Sequence, residues 1–249
     1  MWRPHTPIPV EATFDEFVRN VGGEKVSDFL PPNPHFSNAD YLFARDGVVA
    51  ELKEITTEFS KADGVFEKQY GIVREFRQRN EISWGDLVRG GPFPPEYHRQ
   101  QLRLFRPPIQ RILKKANRQI KETKAALDRE DDLGLLLLVN DGFTSISPLR
   151  VSALVAESLV HSYKSITAFV YMTVNTYVDV PSSEYAALLW VTAYDDNAPD
   201  QLVTFVDDLG RAWRKFLEKR IGPLTGSRET QDRDILKGAK AIKWHSRDA

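Results

Sequence analysis

Asn38-Ala39-Asp40-Tyr41-Leu42-Phe43-Ala44-Arg45-Asp46-Gly47-Val48-Val49-Ala50-Glu51-Leu52-Lys53 is the stretch whose reading decides the fold class. Two short runs rich in aromatic and aliphatic residues flank Asp46-Gly47, a dipeptide suited to a tight turn with φ > 0. The stretch therefore reads as a β-hairpin. With Asp46 and Gly47 as a two-residue loop, Arg45 pairs with Val48, Leu42 with Glu51 and Asp40 with Lys53. Side chains alternate faces along a strand. Asp40, Leu42, Glu51 and Lys53 then share one face, and Tyr41, Phe43, Ala50 and Leu52 the other. A one-residue slip would undo this grouping.

Two carboxylates held a few ångströms apart repel, and a divalent cation between them relieves the repulsion. Mg²⁺ takes hard oxygen ligands, typically one or two carboxylates completed by water and phosphate oxygens. Asp40 followed by Glu51-x-Lys53 on the next strand resembles the signature of the PD-(D/E)xK, or restriction-endonuclease-like, nuclease superfamily. Ala39 stands where the signature's name has proline. The resemblance is specific for the hairpin and extends in element order to about residue 147. It implies that Asp40 and Glu51 ligate Mg²⁺ or Mn²⁺, with the backbone carbonyl of Leu52 as a further ligand. It implies that Lys53 orients the attacking water and stabilises the phosphorane-like transition state. The plain alternative is an exposed sheet face with cross-strand ion pairs worth ~0.2–1 kcal/mol each. A second acid-x-Lys run, Glu122-Thr123-Lys124, lies in a helical pattern with no aspartate hairpin before it and reads as a solvated face.

The 249 residues allow one large domain or two small ones. A hydrophobic share of 41% with 28% charged residues is that of an ordinary globular chain. The net charge of −1 provides no overall pull toward nucleic acid, so any attraction has to be local. The absence of cysteine excludes disulfides, cysteine nucleophiles and thiolate zinc sites, and it fits a cytoplasmic location. The first residues lack the apolar run of a signal peptide, and no apolar run is long enough to span a bilayer. Neither a GxxxxGK[ST] run nor a GxSxG elbow occurs, and the five histidines lack metal-ligand spacing.

Residues 10–21 read as a helix, with Val10, Phe14, Phe17, Val18 and Val21 at helical spacing and Gly22-Gly23 as the stop. In the family such a helix offers the site an acidic residue, here Glu11 or Glu16. Residues 56–105 read as a largely helical insertion. Pro107-Pro108 should open a helix over 109–127 with a buried stripe of Ile109, Ile112, Leu113, Ala116, Ile120 and Leu127. Arg106, Arg111, Lys114, Lys115, Arg118, Lys121 and Lys124 surround it against the single acid Glu122. This local basic surplus suits phosphate contacts, with Arg111, Lys115 and Arg118 as candidates. The resemblance adds Gln119 and Lys115 as candidates for a helix residue beside the site. The aliphatic run 135–139 reads as a central strand buried on both faces. Strands within 165–177 and 186–194 and a helix over 199–221 follow. Residues 226–249 form a polar tail expected to be mobile, with Ile235, Ile242 and Trp244 as residues able to dock weakly.

These readings combine into one α/β domain over residues 1–225, a mixed β-sheet flanked by helices with a restriction-endonuclease-like core. The expected activity is metal-dependent hydrolysis of phosphodiester bonds in nucleic acid, with DNA favoured over RNA, no membrane partner, and room for a homodimer. The alternatives are a protein of the same fold that has lost cleavage and binds nucleic acid or a protein partner, and a chain of another class whose hairpin is structural.

Overall fold

The computed structural model describes residues 4–31, 34–56, 58, 64–89, 91–226 and 228–242. Its elements are α1 (Val10–Asn20), β1 (Glu24–Lys25), β2 (Tyr41–Phe43), β3 (Val48–Ile55), α2 (Val65–Gln78), α3 (Trp84–Arg89), α4 (Pro95–Ala126), β4 (Leu133–Asn140), α5 (Pro148–Ser162), β5 (Ala168–Thr173), β6 (Tyr177–Asp179), β7 (Trp190–Tyr194), α6 (Asp200–Ile221) and β8 (Lys240–Ile242). Six strands form one sheet in the order β1-β2-β3-β4-β5-β7. β3, β4 and β5 run parallel, whereas β1, β2 and β7 join antiparallel. The sheet is thus mixed and flanked by helices on both faces, as the sequence pattern predicts.

The alternation of side chains along the strands sorts the core into two layers. Tyr41, Phe43, Val48, Ala50, Leu52, Leu135, Leu137 and Val139 pack with α1 and α6. Leu42, Val49, Leu136 and Leu138 pack with α4 and α5. The run Leu135 to Val139 is fully shielded from water, so β4 is the central strand that its unbroken apolar sequence requires. Gly134, ahead of that run, admits the backbone of Ser165: a Cβ there would lie 1.7 Å from the Ser165 carbonyl oxygen.

The hairpin forms, but its loop is four residues, not two. Phe43 pairs with Val48, Leu42 with Val49 and Tyr41 with Ala50. Arg45–Val48, Leu42–Glu51 and Asp40–Lys53 are therefore not pairs. Phe43 accepts the N–H of Asp46 across the turn, and Gly47 takes φ 62°, the left-handed conformation that glycine adopts without steric cost. The slip is of two residues. A slip of even length returns every side chain to its face, so Asp40, Leu42, Glu51 and Lys53 stay together.

α4 does not open at Pro107-Pro108. It begins at Pro95 and runs through both prolines to Ala126. Each proline removes one helical N–H, but Phe105, Ile109, Leu113, Ala116 and Ile120 form a continuous buried stripe that holds the helix together across the gap. The segment between β3 and β4 is largely helical; Ile72 and Phe76 of α2, Ile82 ahead of α3 and Tyr97 at the start of α4 share a small core, against which Leu87 of α3 packs half-buried. Within the expected mobile tail, Lys240–Ile242 pairs antiparallel with β6, and Leu236, Ala239 and Ala241 are buried. Trp244 lies outside the described residues. Among the described residues no helix is long and apolar enough to cross a membrane.

Candidate active site

β2 stops at Tyr41 on its N-terminal side, one residue after Asp40, while β3 continues to Ile55. The upper half of β3 therefore lacks a partner strand on that side. Asp40 fills the gap: its Oδ2 accepts the backbone N–H of Leu52 at 2.8 Å. The N–H and C=O of one strand residue point to the same side. The Leu52 carbonyl thus faces the edge that Asp40 occupies.

Glu51 is the anomaly of the strand. It is 0% exposed in a run of apolar residues, with Leu136 as its register partner on β4. Lys53 donates to Glu51 Oε1. No donor among the described residues reaches the buried Glu51 Oε2, and the Asp40 carboxyl lies close enough to share a proton with Glu51 when no cation is bound. Burial, followed by the nearby charge of Asp40, pushes the Glu51 carboxyl up to about 8, against the opposing pull of Lys53. Burial also raises Asp40, against the Leu52 N–H and the Lys53 charge. A carboxylate forced into such a place is costly unless a positive charge shares it.

An open depression of about 260 Å³ reaches Asp40 and Lys53 from solvent, lined also by Glu11, Leu52 and Glu54, with Glu51 buried behind them. Glu11 is the acid that α1 brings here. Glu16 is not, being paired with Arg220 of α6. Beneath Glu11, Lys25 binds Asp15 at 2.6 Å and lies 3.8 Å from Glu11, and the buried Tyr41 hydroxyl donates to Asp15 at 3.0 Å. Sequence reading missed Lys25, Asp15 and Glu54. Glu54 follows the Glu-x-Lys tripeptide directly, which was its only signal.

Gln119 lies in the buried stripe of α4, yet its amide Nε2 donates to the Asn38 carbonyl at 2.7 Å. One turn on, Thr123 is fully buried and its hydroxyl accepts the Ala39 N–H at 2.6 Å. Glu122 accepts the Ser37 N–H at 2.9 Å. Gln119 thus grips the backbone ahead of Asp40 and acts on the site through that loop. Glu122-Thr123-Lys124 is no solvated face: its first two residues hold the same loop, and Lys124 is half-buried. Thr123 falls seven residues after Ala116, on the stripe itself, and that spacing was the legible sign of its burial.

The basic residues of α4 separate by exposure and partner. Arg111, Lys114, Lys115 and Lys121 are exposed, and among the described residues no ion pair engages Arg111 or Lys115. Arg118 is shared between Ser37, at 3.2 Å, and Glu122, at 3.9 Å.

Asp40 and Glu51 fit a hard divalent cation: Glu51 Oε2 is a buried acceptor without a donor, and the Leu52 carbonyl faces the same edge. Among the described residues no three His, Cys, Asp or Glu side chains stand together as a ready ligand set. Two carboxylates and a carbonyl leave the remaining positions to water and substrate oxygens, the usual pattern for Mg²⁺. No family model matches the chain, and neither a curated protein nor a solved structure is similar to it.

Proposed function

We propose that the protein is a metal-dependent nuclease of the PD-(D/E)xK type that hydrolyses phosphodiester bonds in nucleic acid, DNA in preference to RNA. The observation that carries this reading is Glu51: a fully buried carboxyl group whose Oε2 meets no donor among the described residues, beside Asp40 and Lys53, which line an open depression. A structural ion pair would satisfy both oxygens of a carboxylate at this depth. Asp40, Glu51 and the Leu52 carbonyl would hold Mg²⁺ or Mn²⁺, which supplies Lewis-acid stabilisation to the charge that grows on the phosphate. Glu11 lies across the depression and can hold a water against Asp40. Lys53, confined by its pairing with Glu51, offers an ammonium that positions the attacking water and offsets the negative charge of the five-coordinate phosphorus. In the reaction water adds to phosphorus, the phosphorus–oxygen bond to the leaving strand breaks, and that oxygen takes up a proton. Gln119, Thr123 and Glu122 keep Asp40 in register with Leu52. The exposed Arg111 and Lys115 of α4, with Arg118, would meet the phosphate backbone.

The test is cleavage of plasmid and of labelled single strands with Mg²⁺ or Mn²⁺, comparing wild type with Lys53→Ala. We expect cleavage by the wild type and a loss of ~10²-fold or more in the variant, with the circular-dichroism spectrum unchanged. Wild-type activity in Lys53→Ala on a substrate the wild type cuts would remove the catalytic assignment. The second reading, a nuclease-fold binding protein, would follow if the wild type binds nucleic acid and cuts none.

A further inference from the structure

Seven large apolar side chains are exposed among the described residues, and four of them, Phe66, Tyr70, Trp84 and Val88, fall on α2 and α3. Such clustering marks a surface with a partner. On α2, Tyr70, Arg74 and Arg77 are spaced i, i+4, i+7 and share one face. The opposite face carries Ile72 and Phe76 into the small core with Tyr97. Trp84, the first residue of α3, closes the other side. Together with Val73 and Gln78 these residues line a pocket of about 220 Å³.

The chemistry of this pocket is specific. The Arg77 guanidinium stacks over the Trp84 ring at 4.2 Å from its centroid, yet Trp84 remains 55% exposed, so its other side is free. The Arg77 Nε is a buried donor without an acceptor among the described residues. Arg79 is paired with Glu75 and Arg89 with Asp86, whereas Arg74 and Arg77 have no ion-pair partner among the described residues. The two arginines of α2 left without a counter-ion are thus the two in the pocket. An aromatic platform, an unpaired cation and an unmet donor together suit a flat heterocycle joined to a phosphate.

We infer that the α2–α3 pocket captures one unstacked nucleotide of a single strand, its base against Trp84 and Tyr70 and its phosphate against Arg74. Bases stack on aromatic side chains in a sequence-tolerant way, and arginine adds a cation–π contribution. The pocket is too small for a duplex, in which the base faces are already covered. The inference rests on the nuclease reading for its role: it makes the substrate a nucleic acid with a single-stranded portion. α2 and α3 pack on the first turns of α4, and α4 rises about 33 Å from Tyr97 to Gln119. The strand would enter over the insertion and follow α4 toward Asp40.

The experiment measures binding by fluorescence anisotropy in EDTA, where no cation supports cleavage. The probes are a labelled thymidine homopolymer longer than the ~4–16-nucleotide sites of single-strand binders, a blunt duplex of equal length, and thymidine monophosphate. The proteins are wild type, Trp84→Ala, Trp84→Phe and Arg74→Ala. Trp84 and Arg74 are exposed, so the fold tolerates the changes. We expect Trp84→Ala to weaken the single strand about tenfold, Trp84→Phe to restore most of it, Arg74→Ala to flatten its salt dependence, and the duplex to be unaffected. Equal single-strand binding in all four proteins overturns the inference even where the wild type cuts DNA. Binding of the monophosphate as tight as that of the homopolymer overturns it too, since the pocket would then serve a free nucleotide. A wild type that ignores the single strand overturns it and leaves the exposed aromatics to a protein partner. Trp84-dependent binding without cleavage by the wild type upholds the pocket and removes the nuclease reading.

Discussion

The carboxylate of Asp40 accepts the backbone N–H of Leu52 at 2.8 Å, across the point where β2 has already ended. A side chain thus takes the place of the missing strand. It satisfies a backbone donor that would otherwise be unpaired, and it fixes one oxygen of Asp40 beside Glu51. Structure and chemistry draw on the same group here.

Stability should report the burial of Glu51. In metal-free protein its carboxyl is pushed up to about 8, from an ordinary 4.5. Between those values the folded chain holds a proton that the unfolded chain has released, so stability falls as pH rises through the window and is level below it. Glu51→Gln cannot ionise and loses this slope. With EDTA present, the melting temperature of Glu51→Gln minus that of wild type should grow from about pH 5 to about pH 9. A difference independent of pH would mean that Glu51 is not held protonated.

Divalent cations should reverse that penalty. A ligand that binds only the folded state at a hundredfold over its Kd adds about 2.7 kcal/mol, roughly 5–10 °C for a chain of this size. Mn²⁺ should raise the wild-type melting temperature by this order and leave Asp40→Asn/Glu51→Gln unmoved. Equal shifts in both proteins would put the ion elsewhere.

The exposed side of α4 gives a salt-dependence test. In a Glu51→Gln background, Arg111→Ala and Lys115→Ala should each weaken DNA binding and flatten its salt slope by about one unit per phosphate contact. Lys124→Ala should do much less, because Lys124 is half-buried and feels the charges of Asp132 and Asp131. Unchanged slopes in all three variants would make this a solvated surface, with the substrate approaching over the 56–105 segment.

Two glycines predict opposite outcomes. Gly134→Ala drives a Cβ to 1.7 Å from the Ser165 carbonyl oxygen, against backbone that cannot yield cheaply. A loss of at least ~3 kcal/mol in urea unfolding, or no folded protein, is expected. Gly71, inside α2, faces open space, and a Cβ added there would meet nothing within 4 Å. Gly71→Ala should therefore gain ~0.5–1 kcal/mol. Equal effects at the two sites would contradict the close approach of β4 and the segment before β5.

The sheet class was readable because the pattern of β3 and β4 is strong: alternation in one, an unbroken aliphatic run in the other. The grouping of Asp40, Glu51 and Lys53 was readable for a weaker reason, since side-chain parity survives an error of two in the register. The loop length itself was not, because Ala44-Arg45-Asp46-Gly47 suits both a two- and a four-residue connection. Pro107-Pro108 misled for the opposite reason: a local rule was outweighed by the apolar stripe from Phe105 to Ile120. The grip of Gln119, Glu122 and Thr123 on residues 37–39 joins positions more than 80 apart in sequence, and side-chain type alone does not announce such a contact. The docking of the tail was half legible: Ile235 and Ile242 stood out as apolar residues able to dock, but nothing in the sequence announced Val178 and Tyr177 as their distant partners.

The four-residue turn between β2 and β3 also sets which length changes the protein can absorb. Inserting or deleting two residues near Asp46 would slide β2 along β3 and leave each side chain in its own layer. A single-residue insertion would send Asp40 toward α1 and α6 and turn Tyr41 and Phe43 toward α4. Natural drift in this turn should therefore proceed in steps of two, with odd lengths absent from any set of folded variants. A library of turn lengths, scored for folding, would alternate between success and failure as residues are added one at a time, whereas cation binding would survive only where Asp40 still meets the Leu52 N–H.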